Sequence, residues 1–285
     1  MPKIASPRRW FAAALLAALA LGGCATLEHE QRRLIFQPAK DTWWAGAQAA
    51  EGMTPVWIAF DPQEDDKPAR LHALWLANDN PDAPVLLYLH GARWDVTGSA
   101  PRVRRMAAQG FSVLAIDYRG FGKSSGADVL PSEASAYEDA KVAWDWIARE
   151  HPAQRRYIFG HSLGSAIAVE LASQVDDASG LIVEGSFTSI PAVFESMRWG
   201  WLPLTGLITQ RFDAASRIGK VRVPVLVVHG SDDSLIPSRL GRALYEQAPA
   251  PKRFVLVEGG SHHNANALGQ AQYAQALREL FGPAL

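Results

Sequence analysis

A serine stands at the centre of the motif Gly-His-Ser-Leu-Gly, residues 160–164, between an apolar run at 157–159 and a helical pattern. A turn this tight between strand and helix forces Ser162 into a sparsely allowed backbone region, and glycines two residues away on either side let strand and helix approach. The turn also directs the hydroxyl toward the helix N-terminus, whose partial positive charge stabilises an anion. We therefore predict that Ser162 is a nucleophile.

A serine hydroxyl attacks a carbonyl carbon efficiently only when a base removes its proton. Two adjacent histidines, His262 and His263, follow the apolar run at 254–258. In this strand-serine-helix context the acid and then the histidine follow the serine along the chain, which places the base in this loop. The spacing from the end of the strand favours His262, and His263 remains the alternative.

The third member of such a site is a carboxylate that orients the imidazole and stabilises its charged form. The chain reads His-Gly-Ser-Asp-Asp at 229–233, directly after an apolar run. This spacing carries Asp233 across the strand-end loop toward the histidine loop, while Asp232 fits a turn position. Glu184, at the end of the preceding apolar run, is the competing candidate.

An oxyanion needs two main-chain N–H donors that are in place before the reaction begins. One is expected from Leu163, the residue after the nucleophile. The other is expected from the loop His-Gly-Ala-Arg-Trp at 90–94, where we favour Ala92 over Arg93.

Eight short runs, rich in β-branched and aromatic residues, alternate with longer helical patterns. The runs are 55–60, 71–77, 85–89, 112–116, 157–159, 181–184, 225–229 and 254–258. Runs that are apolar on both faces are typical of strands covered by helices on either side. The first two have no helix between them and predict an antiparallel start, whereas the rest predict parallel crossovers. The clearest helix is expected from about Ser135 to Glu150, with a capping box formed by Ser135 and Glu138.

About 40 residues separate the runs at 181–184 and 225–229, and they contain an apolar cluster around Trp199 and Trp201. A structureless loop of that length is unusual inside a compact domain. We expect a small lid with its own short helices at about 187–218. The alternative is a packed surface excursion with no role in access to the site.

The N-terminus has Lys3, Arg8 and Arg9, then an apolar run over 10–21 and the sequence Leu-Gly-Gly-Cys ending at Cys24. This pattern is typical of an export signal, and the run is shorter than the roughly 20 residues that span a bilayer. The last four residues resemble the lipobox of bacterial lipoproteins, in which the cysteine is lipidated; a plain secretory signal is the alternative. We expect a signal peptide at 1–23, a tether and lead-in at 24–49 and one catalytic domain at 50–285.

The chain has 285 residues with 28 basic and 29 acidic side chains, a net charge of -1, which gives no indication of nucleic-acid binding. Removing the three basic residues of the leader leaves 25 basic and 29 acidic residues, a net charge of -4. Acyl chains on Cys24, rather than charge, are then expected to hold the protein on a membrane. Ala25 after the cysteine resembles outer-membrane sorting, which predicts the periplasmic side of a bacterial outer membrane.

The motifs together resemble the α/β-hydrolase superfamily over about residues 50–282. They are Leu-His-Gly-Ala at 89–92, Ile-Asp-Tyr-Arg-Gly-Phe-Gly-Lys-Ser-Ser-Gly at 116–126, the serine motif, His-Gly-Ser-Asp-Asp at 229–233 and Gly-Gly-Ser-His-His-Asn at 259–264. The second motif is similar to the serine aminopeptidase-like branch, which includes palmitoyl-thioesterase relatives, and residues 30–38 resemble its bacterial lipoprotein members. The resemblance implies an α/β fold with a mostly parallel eight-stranded sheet, a Ser-Asp-His triad, no metal and no cofactor.

These observations predict a serine hydrolase that cleaves a carboxylic ester or thioester of a small-molecule acyl substrate. The apolar lid and the anchor favour a lipid-like acyl chain. A peptidase of the same branch and a non-catalytic envelope lipoprotein are the alternatives. The complete set of Ser162, Asp233 and His262 argues against the second, because a binding protein needs no strained serine turn.

Overall fold

Eight strands form one sheet in the computed structural model, which describes residues 23, 25–38, 44–63, 67–126 and 129–282. The strands are β1 (Thr54–Phe60), β2 (Ala69–Leu76), β3 (Val85–Leu89), β4 (Ser112–Ile116), β5 (Arg156–His161), β6 (Gly180–Glu184), β7 (Val225–Gly230) and β8 (Lys252–Val257). Their order in the sheet is β1-β2-β4-β3-β5-β6-β7-β8. The mostly parallel eight-stranded sheet expected from the sequence is thus confirmed.

The pairing follows the connections between strands. Strand β2 pairs antiparallel with β1 and with β4, and all pairs from β4 to β8 are parallel. Every residue of β3, β4, β6 and β7 is buried, as expected for strands covered on both faces. The parallel strands therefore bring their carboxyl ends to one edge of the sheet, where the loops after β3, β5 and β7 meet.

Helices cover both faces of the sheet. They are α1 (25–36), α2 (Trp44–Ala49), α3 (Ala100–Ala107), α4 (Glu133–Glu150), α5 (Leu163–Gln174), α6 (Ile190–Ser196), α7 (Ala215–Ile218), α8 (Ser238–Gln247), α9 (Ala265–Leu268) and α10 (Gln270–Phe281). Helices α4 and α5 contribute to one buried apolar layer, and α3 and α10 contribute to the other. The sheet lies between these two layers.

Helix α4 begins two residues earlier than the sequence predicts, and the expected capping box was wrong. Ser132, not Ser135, is the N-cap: its hydroxyl accepts the Ser135 N–H at 3.0 Å, and the Ser135 hydroxyl accepts the Ser132 N–H at 2.9 Å. Glu138 instead pairs with Arg119. Serine can thus replace the usual glutamate at the third helical position, because its hydroxyl reaches back to the N-cap.

The segment at 187–218 contains two short helices, α6 and α7, and a 3₁₀ turn at Thr205–Leu207. It leaves the sheet after β6 and returns toward the amino end of β7. Main-chain bonds close its base, from Ile190 N to Arg211 O and from Ala215 N to Thr188 O. The excursion is therefore an ordered insertion with its own short helices.

The lead-in before β1 contains helices α1 and α2. Phe36, the last residue of α1, is fully buried and packs edge-on against Phe121 and Phe212. Cys24 and the expected signal peptide, apart from Gly23, lie outside the described residues. Among the residues that the structure describes, no helix combines the length and apolar character needed to cross a membrane.

Candidate active site

Ser162 lies at the turn between β5 and α5 with a φ of 55°, in the left-handed region that an L side chain rarely adopts. The flanking glycines make this turn possible. A Cβ at Gly160 would lie 2.2 Å from the Gly164 carbonyl oxygen, and one at Gly164 would lie 2.2 Å from the Leu89 carbonyl oxygen. No side chain fits either gap, so the motif has the backbone geometry that the sequence predicts.

His262 is within hydrogen-bond distance of the serine. Its Nε2 atom lies 2.9 Å from Ser162 Oγ, and its ring is almost completely buried in the loop after β8. The His263 ring packs edge-on against the His262 ring. Among the residues that the structure describes, the hydrogen bonds to Ser162 Oγ and to Asp233 Oδ2 come from His262 and not from His263. The structure thus places His262, of the two candidates, beside the hydroxyl.

Asp233 completes a continuous hydrogen-bonded chain. Its Oδ2 atom accepts the Nδ1–H of His262 at 2.7 Å, and its Oδ1 atom accepts the main-chain N–H groups of Leu235 and Ile236 at 3.0 and 2.8 Å. Burial raises the pKa of this carboxyl, but hydrogen bonds from His229 and His262 outweigh burial and hold the pKa below its usual range. Asp233 is therefore ionised at neutral pH and fixes the imidazole with Nε2 free to accept the serine proton.

His229 is a second histidine in contact with the Asp233 carboxylate. Its Nε2 atom lies 2.9 Å from the Ile236 carbonyl oxygen and 3.3 Å from Asp233 Oδ2. Because a carbonyl only accepts, Nε2 must carry the proton, and the ring can donate toward both oxygens. Gly241 leaves room for this ring, since a Cβ there would lie 2.3 Å from His229 Nδ1.

The loop after β3 lies directly against the nucleophile. A Cβ at Gly91 would lie 2.9 Å from Ser162 Cβ, so the glycine lets the loop approach. The Arg93 N–H donates to the Phe36 carbonyl oxygen at 2.9 Å. Of the two candidate oxyanion donors in this loop, Arg93 therefore already has an acceptor. The Leu163 N–H belongs to the first turn of α5, where amides have no acceptor within the helix. This arrangement favours Ala92 over Arg93 as the partner of Leu163.

Glu184, the competing acid, bonds elsewhere. Its carboxylate accepts from Arg102 Nε at 3.0 Å and from the Tyr273 hydroxyl, in a buried cluster. Burial alone would lower the pKa of Arg102, but the nearby Glu184 charge raises it above its usual value, so the pair is ionic. Glu184 is thus neutralised by Arg102 rather than directed at His262.

The same cluster holds the histidine loop. Arg102 Nη2 donates to the His263 carbonyl oxygen at 3.2 Å, and His161 Nε2 lies 3.1 Å from the His262 carbonyl oxygen. The same Nε2 atom lies 3.3 Å from Arg102 Nη2, so depending on the tautomer it donates to that carbonyl or accepts from the guanidinium. Burial lowers the pKa of His161 well below its usual value, and the charge of Arg102 lowers it further, so the ring is neutral. Two buried side chains, of Arg102 and His161, therefore contact the main-chain carbonyls of His263 and of His262 itself.

Sequence reasoning missed Arg102, Tyr273 and Gly185 at this site. Gly185 has a φ of 58°, and a Cβ there would lie 3.1 Å from His262 Cε1. Gly185 directly follows strand β6, and this position at a strand end could have identified it as a site residue from the sequence. Arg102 and Tyr273 lie in helices without a motif, and nothing local in the sequence distinguishes them from surface residues.

The 117–126 loop has a structural role. Asp117 is fully buried and accepts from the Val96 N–H at 2.6 Å, and its other carboxylate oxygen lies 2.8 Å from His72 Nδ1. Arg119 donates to Asp139 at 2.6 Å and so ties the loop to α4. The Ser124 hydroxyl donates to the Asp117 carbonyl oxygen at 2.7 Å. These contacts brace the loop beside the site rather than supply a reactive group.

The geometry agrees with comparisons to known proteins. The family model described as serine aminopeptidase, S33, matches residues 79–214 and 195–266, which include Ser162, Asp233 and His262. The uncharacterized protein Rv2307c of Mycobacterium tuberculosis is 32% identical over 269 residues, covering 93% of this chain and 92% of the relative. Lysophosphatidylserine lipase ABHD12 of Danio rerio is 32% identical over 188 residues, covering 59% of this chain and 48% of the lipase.

Solved structures share the fold. The Pyrococcus furiosus esterase Pf2001 superposes with a TM-score of 0.66 at 18% identity, covering 86% of this chain and 99% of the esterase. A cold-adapted esterase from an Arctic intertidal metagenomic library superposes with a TM-score of 0.60 at 15% identity, covering 81% and 95%. From the family match and the sheet topology together, the chain belongs to the serine aminopeptidase S33 family of α/β-hydrolases.

Proposed function

We propose that this hydrolase cleaves a carboxylic ester or thioester through an acyl-enzyme formed on Ser162. The observation that carries the proposal is the unbroken chain from Ser162 Oγ to His262 Nε2 at 2.9 Å and from His262 Nδ1 to Asp233 Oδ2 at 2.7 Å. Nucleophile, base and orienting acid are all within hydrogen-bond distance without any rearrangement.

The reaction follows from these positions. Ser162 Oγ attacks the carbonyl carbon while His262 Nε2 takes its proton, and the ionised Asp233 stabilises the imidazolium. The Leu163 and Ala92 N–H groups bind the oxyanion of the tetrahedral intermediate. His262 returns the proton to the leaving alcohol or thiol as the acyl bond breaks. Water, deprotonated by His262, then attacks the acyl-enzyme, and His262 returns that proton to Ser162 Oγ as the acyl bond breaks, which releases the carboxylic acid and free Ser162.

A lipid-like acyl chain is the substrate class that we favour. The 187–218 insertion carries exposed apolar side chains close in sequence to the end of β6, and Ser162 N bonds to the Glu184 carbonyl oxygen at that strand end. A relative that is named a lysophosphatidylserine lipase supports the same class. The peptidase alternative needs a group that binds a peptide amine, and the 187–218 insertion contains only two carboxylates, Glu195 and Asp213.

We further propose that Cys24 is lipidated and anchors the protein in the cell envelope, on the periplasmic side of a bacterial outer membrane. The support is the Leu-Gly-Gly-Cys sequence after a basic and then apolar N-terminus, followed by Ala25. The anchor would keep the enzyme at a surface that holds lipid esters.

Labelling with a fluorophosphonate tests the reaction class. The wild type should be labelled and should hydrolyse p-nitrophenyl esters, and Ser162→Ala should do neither, because the probe reports an activated serine. Ser165→Ala is the matched control, since Ser165 also lies in the first turn of α5 but bonds to the Ser162 carbonyl oxygen. An unlabelled, inactive wild type would support the non-catalytic alternative. Acyl esters, acyl thioesters and aminoacyl amides of graded length would then identify the bond that is cleaved.

A further inference from the structure

The insertion after β6 exposes five large apolar side chains. They are Met197, Trp199, Trp201, Leu204 and Leu207, and we call them the lid surface. Trp201 is 73% exposed. Main-chain bonds join Gly200 to Met197, Leu202 to Trp199 and Leu207 to Leu204, so the segment is a series of ordered tight turns. A fixed cluster of exposed apolar side chains indicates a contact surface.

Helix α1 extends this surface. Leu27, Gln31 and Leu34 are spaced by four and three residues and so share one face of the helix; we call them the α1 stripe. Gln31 donates to the Leu207 carbonyl oxygen at 2.8 Å and accepts the Thr209 N–H at 2.8 Å. Leu27 and Leu34, on either side of Gln31, are exposed. The α1 stripe and the lid surface are therefore adjacent.

The path of the chain indicates what covers this surface. Helix α1 spans twelve residues, which is about 18 Å. At its end the Phe36 carbonyl oxygen accepts the Arg93 N–H, beside the candidate oxyanion loop. At its start the chain comes from Cys24 and from the apolar run at 10–21. The chain from Cys24 therefore joins α1 at a point about one short helix away from the candidate oxyanion loop.

We propose that the lid surface and the α1 stripe insert together into the interface of the bilayer that holds the N-terminus, so that the substrate enters the site from the lipid. The proposal rests on the proposed lipid anchor. Tryptophan prefers the membrane–water interface, and Arg198, whose guanidinium lies 5.6 Å from the Trp199 ring centroid, can direct its charge to the headgroups. Because the chain after the leader is acidic, apolar insertion rather than charge attraction drives the contact, and salt should not weaken it.

Two glycines allow a matched test of insertion. A Cβ at Gly206 or at Gly219 meets no atom within 4 Å, so a cysteine fits either position. Gly206 adjoins Leu207 of the lid surface, whereas Gly219 follows α7 toward the amino end of β7, away from the active-site edge. Full-length Gly206→Cys and Gly219→Cys, labelled with the fluorophore NBD, are bound to phosphatidylcholine vesicles and isolated by flotation. Labelled wild type corrects for any signal from Cys24.

Spin-labelled lipids should quench the label at 206 and leave the label at 219 unquenched, at low and at high salt. Flotation without quenching at 206 overturns the proposal, and so does failure to float. A label at 206 that is shielded only at high protein concentration, without quenching by lipid, identifies a second copy of the chain as the occupant and also overturns the proposal.

A second variant links insertion to substrate entry. Trp199→Ser/Trp201→Ser should lower the turnover of an ester embedded in vesicles by about tenfold or more, because two large apolar side chains are lost from the interface. Turnover of a soluble short-chain ester should fall much less, and equal loss on both substrates contradicts substrate entry from the lipid. Wild type that fails on the soluble ester refutes the proposed function alone, since the quenching result does not depend on catalysis.

Discussion

Arg102 donates from Nη2 to the main-chain oxygen of His263, 3.2 Å away, and so joins helix α3 to the loop that carries His262. The same guanidinium pairs through Nε with Glu184 at 3.0 Å. A buried ion pair is costly to desolvate, and the arginine of this pair also contacts the residue next to the candidate base. We interpret Arg102 as a positioning residue for His262.

Arg102→Lys should lower kcat for a soluble ester by about tenfold while KM stays near the wild-type value. Lysine keeps the positive charge beside Glu184. It lacks the planar guanidinium, whose separate N–H groups donate to Glu184 and to the His263 carbonyl oxygen at the same time. Steady-state kinetics and the rate of fluorophosphonate labelling measure the effect. Tyr273→Phe is the control, because it removes a bond to Glu184 without touching the histidine loop. A purely structural role would lower the melting temperature of both variants and leave both kcat values unchanged.

The two adjacent histidines should differ sharply when each is replaced. His262→Ala should reduce kcat by about a thousandfold or more, because Ser162 loses its base. His263→Ala should stay near wild type, since Arg102 bonds to the main-chain oxygen of that residue and not to its ring. Initial rates on a p-nitrophenyl ester distinguish the two variants. Comparable losses would show that the ring of His263 takes part in the reaction.

Much of this site could be predicted because its signals are local. The strands can be recognised in the sequence as short runs that are apolar on both faces. Ser162, Asp233 and His262 each lie within a few residues of a strand end. Arg102 could not be found in this way: Glu184 is 82 residues away along the chain and His263 is 161 residues away. A buried charge inside an amphipathic helix has no periodic signature, and only the folded chain reveals its partners.

The start of α4 shows a second kind of limit. Both Ser132 and Ser135 are suitable N-caps, and the glutamate three residues after Ser135 favours the wrong one. The salt bridge between Glu138 and Arg119 favours Ser132 as the N-cap, because it removes the Glu138 carboxylate from the helix terminus. Competition between a local and a distant partner cannot be read from spacing alone.

Gly185→Ala should lower kcat by about tenfold with little change in KM. The residue has a positive φ, and the new Cβ would lie 3.1 Å from His262 Cε1, tight enough to shift the imidazole. Gly259→Ala is a matched control, because Gly259 also has a positive φ, of 68°, and an added Cβ there meets nothing within 4 Å. Both variants should lose about 1–2 kcal/mol of stability from backbone strain. Equal kcat values in the two variants would argue against a steric effect on His262.

His161 should make the folded state less stable in acid. Burial holds the pKa of His161 well below 6.5, so the unfolded chain binds a proton there that the folded chain does not. The unfolded state thus binds more protons below pH 6.5, and the free energy of unfolding falls as the pH drops through that value. His161→Gln removes this site and should reduce the pH dependence by at most about 1.4 kcal/mol per pH unit.

Urea denaturation above and about one pH unit below 6.5 measures that difference, because all other titrating groups are common to the two proteins. His29→Gln is the control, since His29 is exposed on α1. A variant at position 161 with the same pH dependence as the wild type would mean that the His161 ring can be protonated in the folded protein.

Cys24→Ser should release the protein from membranes while leaving its hydrolase activity intact. The anchor is proposed to be covalent lipid on the only cysteine of the chain, and one serine oxygen in place of sulfur prevents its attachment. Fractionation of cells, together with metabolic labelling by a clickable fatty acid, measures both consequences. Ala25→Ser is the matched control, because it changes the next residue and leaves the thiol in place. If the Cys24→Ser protein carries no label but stays in the membrane fraction, the lid surface and not a lipid holds it there. If Cys24→Ser is still labelled, the acyl group is attached to another residue.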